Sequence, residues 1–298
     1  MNDQSPLVFD RRLARARLAR AKAAGFADFL VARAAEDLED RLAGVLRPFP
    51  RAVDLGTPSG QAAEILARRA GAERVFRLAP LPEPGAIVAD EEALPLAPES
   101  VDLVVSLLAL QSVNDLPGAL VQIRRALAPD GLLLCALIGG GSLAELRASF
   151  AAAEAEIEGG ISPRVAPFAD VRDLGALLQR AGFALPVVDA ESVVVRYRDA
   201  FALMADLRAM GLTNALHERR RTPLRRKTLL RTAEIYHERF ADADGRVRAT
   251  FDLVWLTGWA PHESQQKPLR PGSARMRLAE ALGTTEISAG EKAKPRET

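Results

Sequence analysis

Short apolar runs alternate with amphipathic stretches through the middle of the chain. The runs that predict buried strands are residues 51–56, 73–79, 86–90, 101–110 and 131–139. Between the last two runs, the segment "DLPGALVQIRRALAPDG" places its apolar residues on one face of a helix. Continuous apolar strands that alternate with amphipathic helices are typical of a parallel sheet covered on both faces. The pattern therefore predicts an α/β fold.

The pattern changes on both sides of this region. Residues 10–24 are rich in Ala, Leu and Arg, and apolar residues recur at three-to-four spacing from Phe26 to Val45, which predicts N-terminal helices within residues 1–48. The central domain is expected to span 49–262, and 263–298 to form a C-terminal extension that is disordered from about 280. After Gly139 we predict helices at 142–156 and 170–181, strands within 187–198 and 246–261, and a helical insertion at about 199–241.

The composition is that of a soluble globular protein without strong bulk charge. Of 298 residues, 48% are hydrophobic and 27% charged, and 40 basic against 39 acidic residues give a net charge of +1. This balance predicts no nucleic-acid partner. The single cysteine, Cys135, excludes an internal disulfide and a cysteine-based zinc cluster. No apolar run approaches the roughly 20 residues of a membrane span, and the start lacks a secretion signal, so we expect a cytoplasmic protein.

The histidines offer one candidate for metal chemistry. His217, His237 and His262 are each followed by Glu, and a site of two histidines and one carboxylate can hold iron. None of the spacings is typical of a ligand pair on a single helix face. We therefore favour histidines at the surface or at helix ends, and predict no metal site.

The stretch "AVDLGTPSG", residues 52–60, has the form of a cofactor loop. A strand that ends in an acidic residue and leads through a Gly-containing turn into a helix presents backbone N–H groups to a ligand. The three glycines of a dinucleotide loop are absent, and Pro58 stands where such loops carry their central glycine. Asp90 and Ser106 also lie at the carboxyl ends of predicted strands, where parallel sheets bind their ligands.

The order of motifs resembles that of a class I S-adenosylmethionine methyltransferase. Over about residues 8–275 the chain is similar, almost end to end, to one subfamily: complex I assembly factors with a methyltransferase fold, of the arginine hydroxylase type. The motifs that carry this are "FDRRLARAR", "ADEEALPL", "VNDLPGAL", "DLGALLQRAGF", "ATFDLVWLTGW" and "HESQQKPLRPGSA". A more distant relative is the methyltransferase of the biotin pathway that acts on malonyl-carrier protein. The resemblance implies a Rossmann-like, mostly parallel seven-stranded sheet with helices on both faces.

The resemblance also implies a set of residues that bind S-adenosylmethionine. The methionine-side loop would be formed by Asp54, Gly56 and Gly60. Asp90 and Glu91 would lie beside the adenine, and Ser106 near the centre of the cofactor; catalytic residues are not identified. A carboxylate at a strand end can accept from the adenine amino group, which agrees with the role of Asp90. Two alternatives stay open: Asp54 caps the following helix or orients the loop, and "ADEE" is an ordinary solvated turn.

Three departures from the family pattern concern this cofactor. Pro58 removes an N–H donor from the loop. The acid that would hold the ribose at the end of the second strand is missing, because the first acidic residue after that strand is Glu83. Gln111-Ser112 replaces a His-Trp pair of the family. The lost donor costs about 0.5–1.5 kcal/mol and the lost acid about 1.5–3 kcal/mol. Together they weaken binding by about two to three orders of magnitude. The cofactor is therefore expected to be bound weakly or to have been lost.

The segment 219–231, "RRRTPLRRKTLLR", carries seven positive charges and is here called the basic segment. It is either a solvated helix face or a docking surface for an acidic protein or an anionic membrane. Three functions follow from the residues and the resemblance. The first is a methyltransferase-family protein that acts on a protein partner such as a complex I subunit; the second is a non-catalytic assembly chaperone; the third is a methyltransferase for a small molecule or acyl carrier. The "HESQQKP" motif favours the first two.

Overall fold

The computed structural model describes residues 7–167, 170–266, 276 and 278–285. The chain divides into two compact units, residues 1–262 and 263–298. The strands of the first unit are β1 Arg51–Leu55, β2 Arg74–Ala79, β3 Ala86–Val88, β4 Val101–Leu107, β5 Leu127–Ile138, β6 Ala184–Tyr197 and β7 Val247–Trp259. Its helices are α1 Arg11–Ala24, α2 Phe29–Ala43, α3 Gln61–Arg69, α4 Leu116–Ala126, α5 Ala144–Glu158, α6 Val171–Arg180, α7 Ala200–Ala209 and α8 Arg226–Phe240. In the second unit, Leu278–Leu282 form α9.

The seven strands form one sheet in the order β3-β2-β1-β4-β5-β7-β6. The first five pair in parallel, and β7 runs antiparallel to both β5 and β6. The predicted α/β fold with a mostly parallel seven-stranded sheet is confirmed. The strand order reverses between β1 and β4, and the crevice at the carboxyl ends of these two strands is where open α/β sheets bind ligands.

The central strands β1, β4, β5 and β7 are buried on both faces, whereas the edge strands β3 and β6 are largely exposed. Ala52 of β1 packs in a core cluster with α2, α3, α5 and α7, whereas its neighbour Val53 packs on the other face with α4 and α6. Because successive side chains of a strand point to opposite faces, a strand that is covered on both sides reads as a continuous apolar run. Each fully buried Leu or Val, such as Leu66 or Val104, contributes about 1.5–3 kcal/mol.

The sequence prediction differs from the structure at several boundaries. β5 begins at Leu127, four residues before the predicted start, and passes through Asp130 with φ of +62°. β6 begins at Ala184 and is one strand with a register shift. α9 lies in the segment that was expected to be disordered from about 280, while residues 267–274 of the "HESQQKPLRPGSA" motif and those after 285 lie outside the described residues. Across the described ranges, no helix has the length and apolar character needed to cross a bilayer.

Candidate cofactor cavity and the acidic loop

The turn after β1 depends on glycine at one of its two glycine positions. Gly56 has φ of +74°, and a Cβ there would lie 2.9 Å from the Ala109 Cβ and 3.4 Å from the Glu91 Cγ. A side chain is therefore excluded by both conformation and space. Gly60 is right-handed, with φ of −82°, and the nearest atom to its added Cβ is Glu64 Oε1 at 3.7 Å. Only Gly56 is thus required by the backbone.

Arg77 of β2 holds the rest of this turn in place. Its guanidinium donates to the backbone oxygens of Thr57 and Ser59 at 3.2 and 2.9 Å. The Thr57 hydroxyl accepts from the Leu107 N–H at 3.1 Å, which ties the turn to β4 as well. Pro58 lies between these anchors, on the wall of a cavity. Sequence reasoning missed Arg77, although it stands opposite Asp54 in the register of β1 and β2.

Asp54 is fully buried behind the turn rather than on the cavity wall. Arg77 Nε is 3.4 Å from Asp54 Oδ2, and neither carboxylate oxygen has a hydrogen-bond partner among the described residues. Burial raises the pKa of Asp54 to about 7, and the nearby Thr57 and Arg77 oppose that rise. Gly60 is the N-cap of α3, and the Ser59 hydroxyl accepts from the Gln61 N–H at the start of this helix at 3.4 Å. Asp54 forms no hydrogen bond to this helix end among the described residues, so it does not have the capping role that the sequence left open.

The acidic loop, Asp90–Glu92, follows β3 and is bound by two arginines of α1. Arg11 forms ion pairs with Asp90, with Glu91 and, at 2.8 Å, with Glu92. Arg15 Nη2 lies 2.7 Å from Asp90 and 3.5 Å from Glu91. Burial alone would raise the pKa of Asp90, but the Glu92 N–H, Arg15 and Arg11 outweigh it and lower this pKa to about 2. The "ADEE" stretch is therefore an ion-paired loop and not a solvated turn.

The two predicted adenine residues occupy different positions. Glu91 is 6% exposed, lies against Gly56 and lines the cavity. The Asp90 side chain is 37% exposed, and Asp90 is not one of the described residues that line the cavity. Glu83, the first acid after β2, pairs with Arg77 at 2.6 Å and also with Lys22. Glu83 is consequently held by two cations.

Ser106 lies in β4, and its side chain is fully buried on the sheet face that α4 and α6 cover. Its hydroxyl has no hydrogen-bond partner among the described residues, and it does not belong to the described cavity wall. Its neighbour in β5 is Cys135, and burial raises the pKa of that thiol to about 12. Cys135 is thus protonated at neutral pH and unsuited to nucleophilic chemistry. The prediction that Ser106 lies near the cofactor's centre stays a prediction.

A cavity of about 600 Å³ connects the turn at Gly56 with the helical insertion formed by α7 and α8. Its volume is within the range of small-molecule and cofactor sites. At the β1–β4 crevice it is lined by Gly56, Pro58, Glu91, Ala109, Gln111 and Ser112. Gln111 donates to the Leu108 carbonyl at 2.8 Å, and its own amide oxygen is buried without a partner among the described residues. The cavity thus offers backbone and amide groups at the predicted cofactor turn.

Metal-binding groups are not clustered in the part of the chain that the structure describes. There, no three residues of the types His, Cys, Asp and Glu are arranged to hold an ion. His217 lies at the surface, 3.2 Å from Glu218. The prediction of no metal site stays a prediction.

The basic segment is partly neutralised by acidic residues. Arg219 pairs with Asp10; Arg220 and Arg225 lie 3.2 and 3.5 Å from Glu158; and Arg231 contacts Glu156, Glu234 and Glu238. Arg221, Arg226 and Lys227 are exposed and form no ion pair with any described residue. We call these three residues the free cations. The segment therefore presents three unpaired charges rather than seven.

Comparisons with known proteins agree with this architecture. The methyltransferase domain family matches residues 53–135. The arginine-hydroxylase NDUFAF5 of Danio rerio is 40% identical over 265 residues, which cover 85% of this chain and 82% of that protein. A malonyl-[acyl-carrier protein] O-methyltransferase of Halorhodospira halophila is 37% identical and covers 80% of this chain and 85% of its own.

A solved structure supports the fold alone. It belongs to a candidate methyltransferase from Bacillus halodurans C-125, with a TM-score of 0.51 at 15% identity, and covers 76% of this chain and 98% of its own. The two relatives align with this chain over 82% and 85% of their own length, at 40% and 37% identity, which shows a shared family. The chain therefore belongs to the class I S-adenosylmethionine methyltransferases, in the subfamily of the NDUFAF5 arginine hydroxylases that its motifs resemble.

Proposed function

We propose that the cavity binds S-adenosylmethionine at the turn after β1. The support is the absence of space for a side chain at Gly56, together with a cavity that reaches Gly56, Pro58 and Glu91. Gly56 would let the backbone approach the ligand, and Glu91 would accept hydrogen bonds at the same wall. When bound, the cofactor supplies an electrophilic methyl group on a sulfonium. Arg77 keeps the turn in position through Thr57 and Ser59.

We infer further that the chain acts on an arginine side chain of a protein partner, such as a complex I subunit. The observation that carries this proposal is the 40% identity to an arginine-hydroxylase over 85% of the chain. The geometry is compatible with it, because Glu91, the carboxylate among the described lining residues, already binds the guanidinium of Arg11 beside Gly56. A planar guanidinium and a carboxylate form matched, charge-assisted hydrogen bonds.

The partner would contact the free cations, Arg221, Arg226 and Lys227. An exposed cation without an ion-pair partner attracts an approaching acidic surface, whereas the field of a paired cation is largely cancelled by its partner. An acidic protein surface fits the protein-directed activity; an anionic membrane surface is the other candidate for the same three side chains.

A non-catalytic assembly chaperone is the second candidate function. It is favoured by the engagement of Asp90 and Glu91 with Arg11 and Arg15, and by Pro58 in the turn. In this function the partner surface would be retained while the cofactor is bound weakly or not at all. The third candidate, a methyltransferase for an acyl carrier, is supported by the 37% identity to the Halorhodospira halophila protein.

The test is to map arginine modifications by mass spectrometry on complex I from cells with the gene, without it, and with single variants. Gly56→Ala should prevent modification, because its Cβ would lie 2.9 Å from Ala109 at positive φ. Gly160→Ala is the matched control, since it lies outside the predicted cofactor loop and its added Cβ would meet no atom within 4 Å. An added oxygen atom indicates hydroxylation and an added methylene indicates methylation. An unmodified partner whose assembly still requires the gene would support the chaperone and overturn the enzyme proposal.

A further inference from the structure

The part of the cavity away from Gly56 is walled by apolar side chains from several elements. Leu146 and Phe150 come from α5, Met204 and Leu207 from α7, and Phe251 from β7. An apolar ligand binds favourably to such a wall, because the contact removes hydrocarbon surface of both the wall and the ligand from water. The methionines can adapt to ligands of different shape. This part, which we call the inner chamber, therefore favours an apolar body.

Two leucines on the cavity wall have a backbone conformation that leucine rarely adopts. Leu108 and Leu143 have φ of +52° and +56°. Each is held by a backbone hydrogen bond, from Leu108 N to Ala136 O at 2.9 Å and from Leu143 N to Thr250 O at 2.7 Å. Unfavourable backbone conformations persist only where surrounding structure enforces them, and they are concentrated at ligand sites. The wall is therefore maintained at a cost in stability.

Among the described residues, five arginines line this cavity, and three of them have acidic partners. Arg11 and Arg15 pair with the acidic loop, and Arg164 pairs with Glu154 at 2.5 Å. Arg17 and Arg208 are different: the Arg17 guanidinium donates to the backbone oxygen of Asn214, and the Arg208 guanidinium has no partner among the described residues. Burial, with Arg219 and Arg20 nearby, lowers the pKa of Arg17. Neither Arg17 nor Arg208 thus forms an ion pair with a carboxylate of the described residues.

The two arginines belong to neighbouring parts of the wall. Arg17 precedes Leu18 in α1, and Arg208 lies one turn before Gly211 at the end of α7. An added Cβ at Gly211 would lie only 3.0 Å from the Leu18 Cα, so α1 and the end of α7 are in close contact there. Leu18 and Gly211 line the cavity as well. One anionic group at this junction would lie near both cations.

We propose that the inner chamber binds an amphiphilic anion, a ligand with an apolar chain or ring and one acidic group. The apolar body lies among Leu146, Phe150, Met204, Leu207 and Phe251, and the acidic group accepts from Arg17 and Arg208. This site does not rest on the arginine-directed activity. It is separate from the turn at Gly56, where the cofactor is proposed to bind.

The test is calorimetric titration of the full chain with three probes of equal chain length. Decanoate and decyl phosphate carry an anionic group, and decyltrimethylammonium carries a cation. Both anions should bind, one of them more tightly according to whether the site prefers a carboxylate or a phosphate, and the cation should bind at least about tenfold more weakly. Equal binding of the cation, or no binding of either anion, would overturn the proposal.

Variants distinguish the chamber from non-specific uptake. Arg17→Gln with Arg208→Gln should weaken decanoate binding by about tenfold or more. The control is Arg12→Gln with Arg172→Gln, because these two arginines are exposed and lie outside the described lining; decanoate affinity should not change. Leu146→Trp should fill the chamber and abolish binding, with circular dichroism confirming the fold. Decanoate binding unchanged in both the arginine pair and the Trp variant contradicts the site.

A final titration is made with S-adenosylhomocysteine at saturation, because the cofactor has its own carboxylate. Decanoate should still bind to that complex. If S-adenosylhomocysteine excludes decanoate, and the Arg17–Arg208 variant loses affinity for both, then the two arginines hold the cofactor's carboxylate and the amphiphile site does not exist. Failure of the arginine-directed function would instead leave all of these titrations unchanged.

Discussion

The acidic loop and the basic segment look alike in the sequence but differ in the structure. The acidic loop places three carboxylates in a row, and Arg11 contacts all three while Arg15 contacts two. The basic segment places seven cations close together, and three of them meet no acid among the described residues. All three carboxylates of the acidic loop are therefore ion-paired within the protein, whereas three cations of the basic segment form no ion pair with a described residue.

The difference shows that a run of like charge has no fixed meaning until its partners are known. Arg11 and Asp90 are 79 residues apart in sequence. Glu158, which lies beside Arg220 and Arg225, belongs to α5. A paired charge has a small external field, whereas an unpaired exposed charge retains its own within about a Debye length. Binding to other molecules should accordingly depend on the free cations and not on the total.

The largest effect is expected from reversing the free cations. Arg221→Glu, Arg226→Glu and Lys227→Glu together turn three attractions into three repulsions, so capture of an acidic partner should weaken by about a hundredfold or more. Folding should be unaffected, because exposed charges contribute little to stability. The measurement is pull-down of purified complex I subunits at low salt.

A matched control keeps the same change in net charge. Arg125, Arg172 and Arg180 are exposed on α4 and α6 and form no ion pair among the described residues. Their reversal to Glu should leave partner capture intact. Equal loss in both triple variants would mean that net charge, rather than the free cations, controls capture.

An intermediate effect is expected at the acidic loop. Arg11→Ala with Arg15→Ala would free Asp90 and Glu91, so S-adenosylmethionine should bind about tenfold more tightly, the value of one charged hydrogen bond. Isothermal titration calorimetry of the double variant measures this. Arg12→Ala with Arg20→Ala alters the same helix at exposed positions and should leave the affinity unchanged. Weaker binding in the first variant would show that the arginines complete the cofactor site instead of competing with it.

The sheet and the turn at Gly56 were predictable from the sequence because they depend on local rules. Apolar runs indicated the strands, of which β1, β4 and β5 are buried as predicted and β3 is instead an exposed edge strand. An Asp-Leu-Gly strand end indicated a backbone that needs glycine, and Gly56 has φ of +74°. Residue-level placement was harder. Ser106 lies near the end of β4, but its side chain is buried on one face of the sheet and is not among the described residues of the cavity wall. A position at a strand end does not by itself decide which face the side chain points to.

The ion pairs could not be predicted for a different physical reason. Which arginine of α1 reaches the acidic loop depends on the rotation of that helix, and Ala21 is the single buried residue that α1 contributes. The apolar pattern of α1 therefore does not define the face that it turns towards the sheet. Arg77 could have been noticed, because a buried Asp in one parallel strand needs a cationic or donor neighbour in the next.

The smallest effect is a difference in acid stability between the two regions. The pKa of Asp90 falls from 3.8 to about 2 in the folded chain, so its ion pairs stabilise the fold above pH 4 and lose this contribution as the pH falls towards 2. Its side chain is 37% exposed, so solvent screening limits the contribution to about 1 kcal/mol or less. No such contribution is expected from the free cations, because they form no ion pair with any described residue.

Urea unfolding of wild type and Asp90→Asn at pH 5 and at pH 2.5 measures this contribution. The variant should be less stable than wild type at pH 5, and this difference should be clearly smaller at pH 2.5. Asp40→Asn is the control, because Asp40 is exposed on α2 and has no ion pair among the described residues, so its replacement should have a small effect on stability. If Asp90→Asn is as stable as wild type at pH 5, then Arg11 and Arg15 find other partners. In that case the ion pairs of the acidic loop do not stabilise the fold, and the two regions do not differ in how strongly their charges are held.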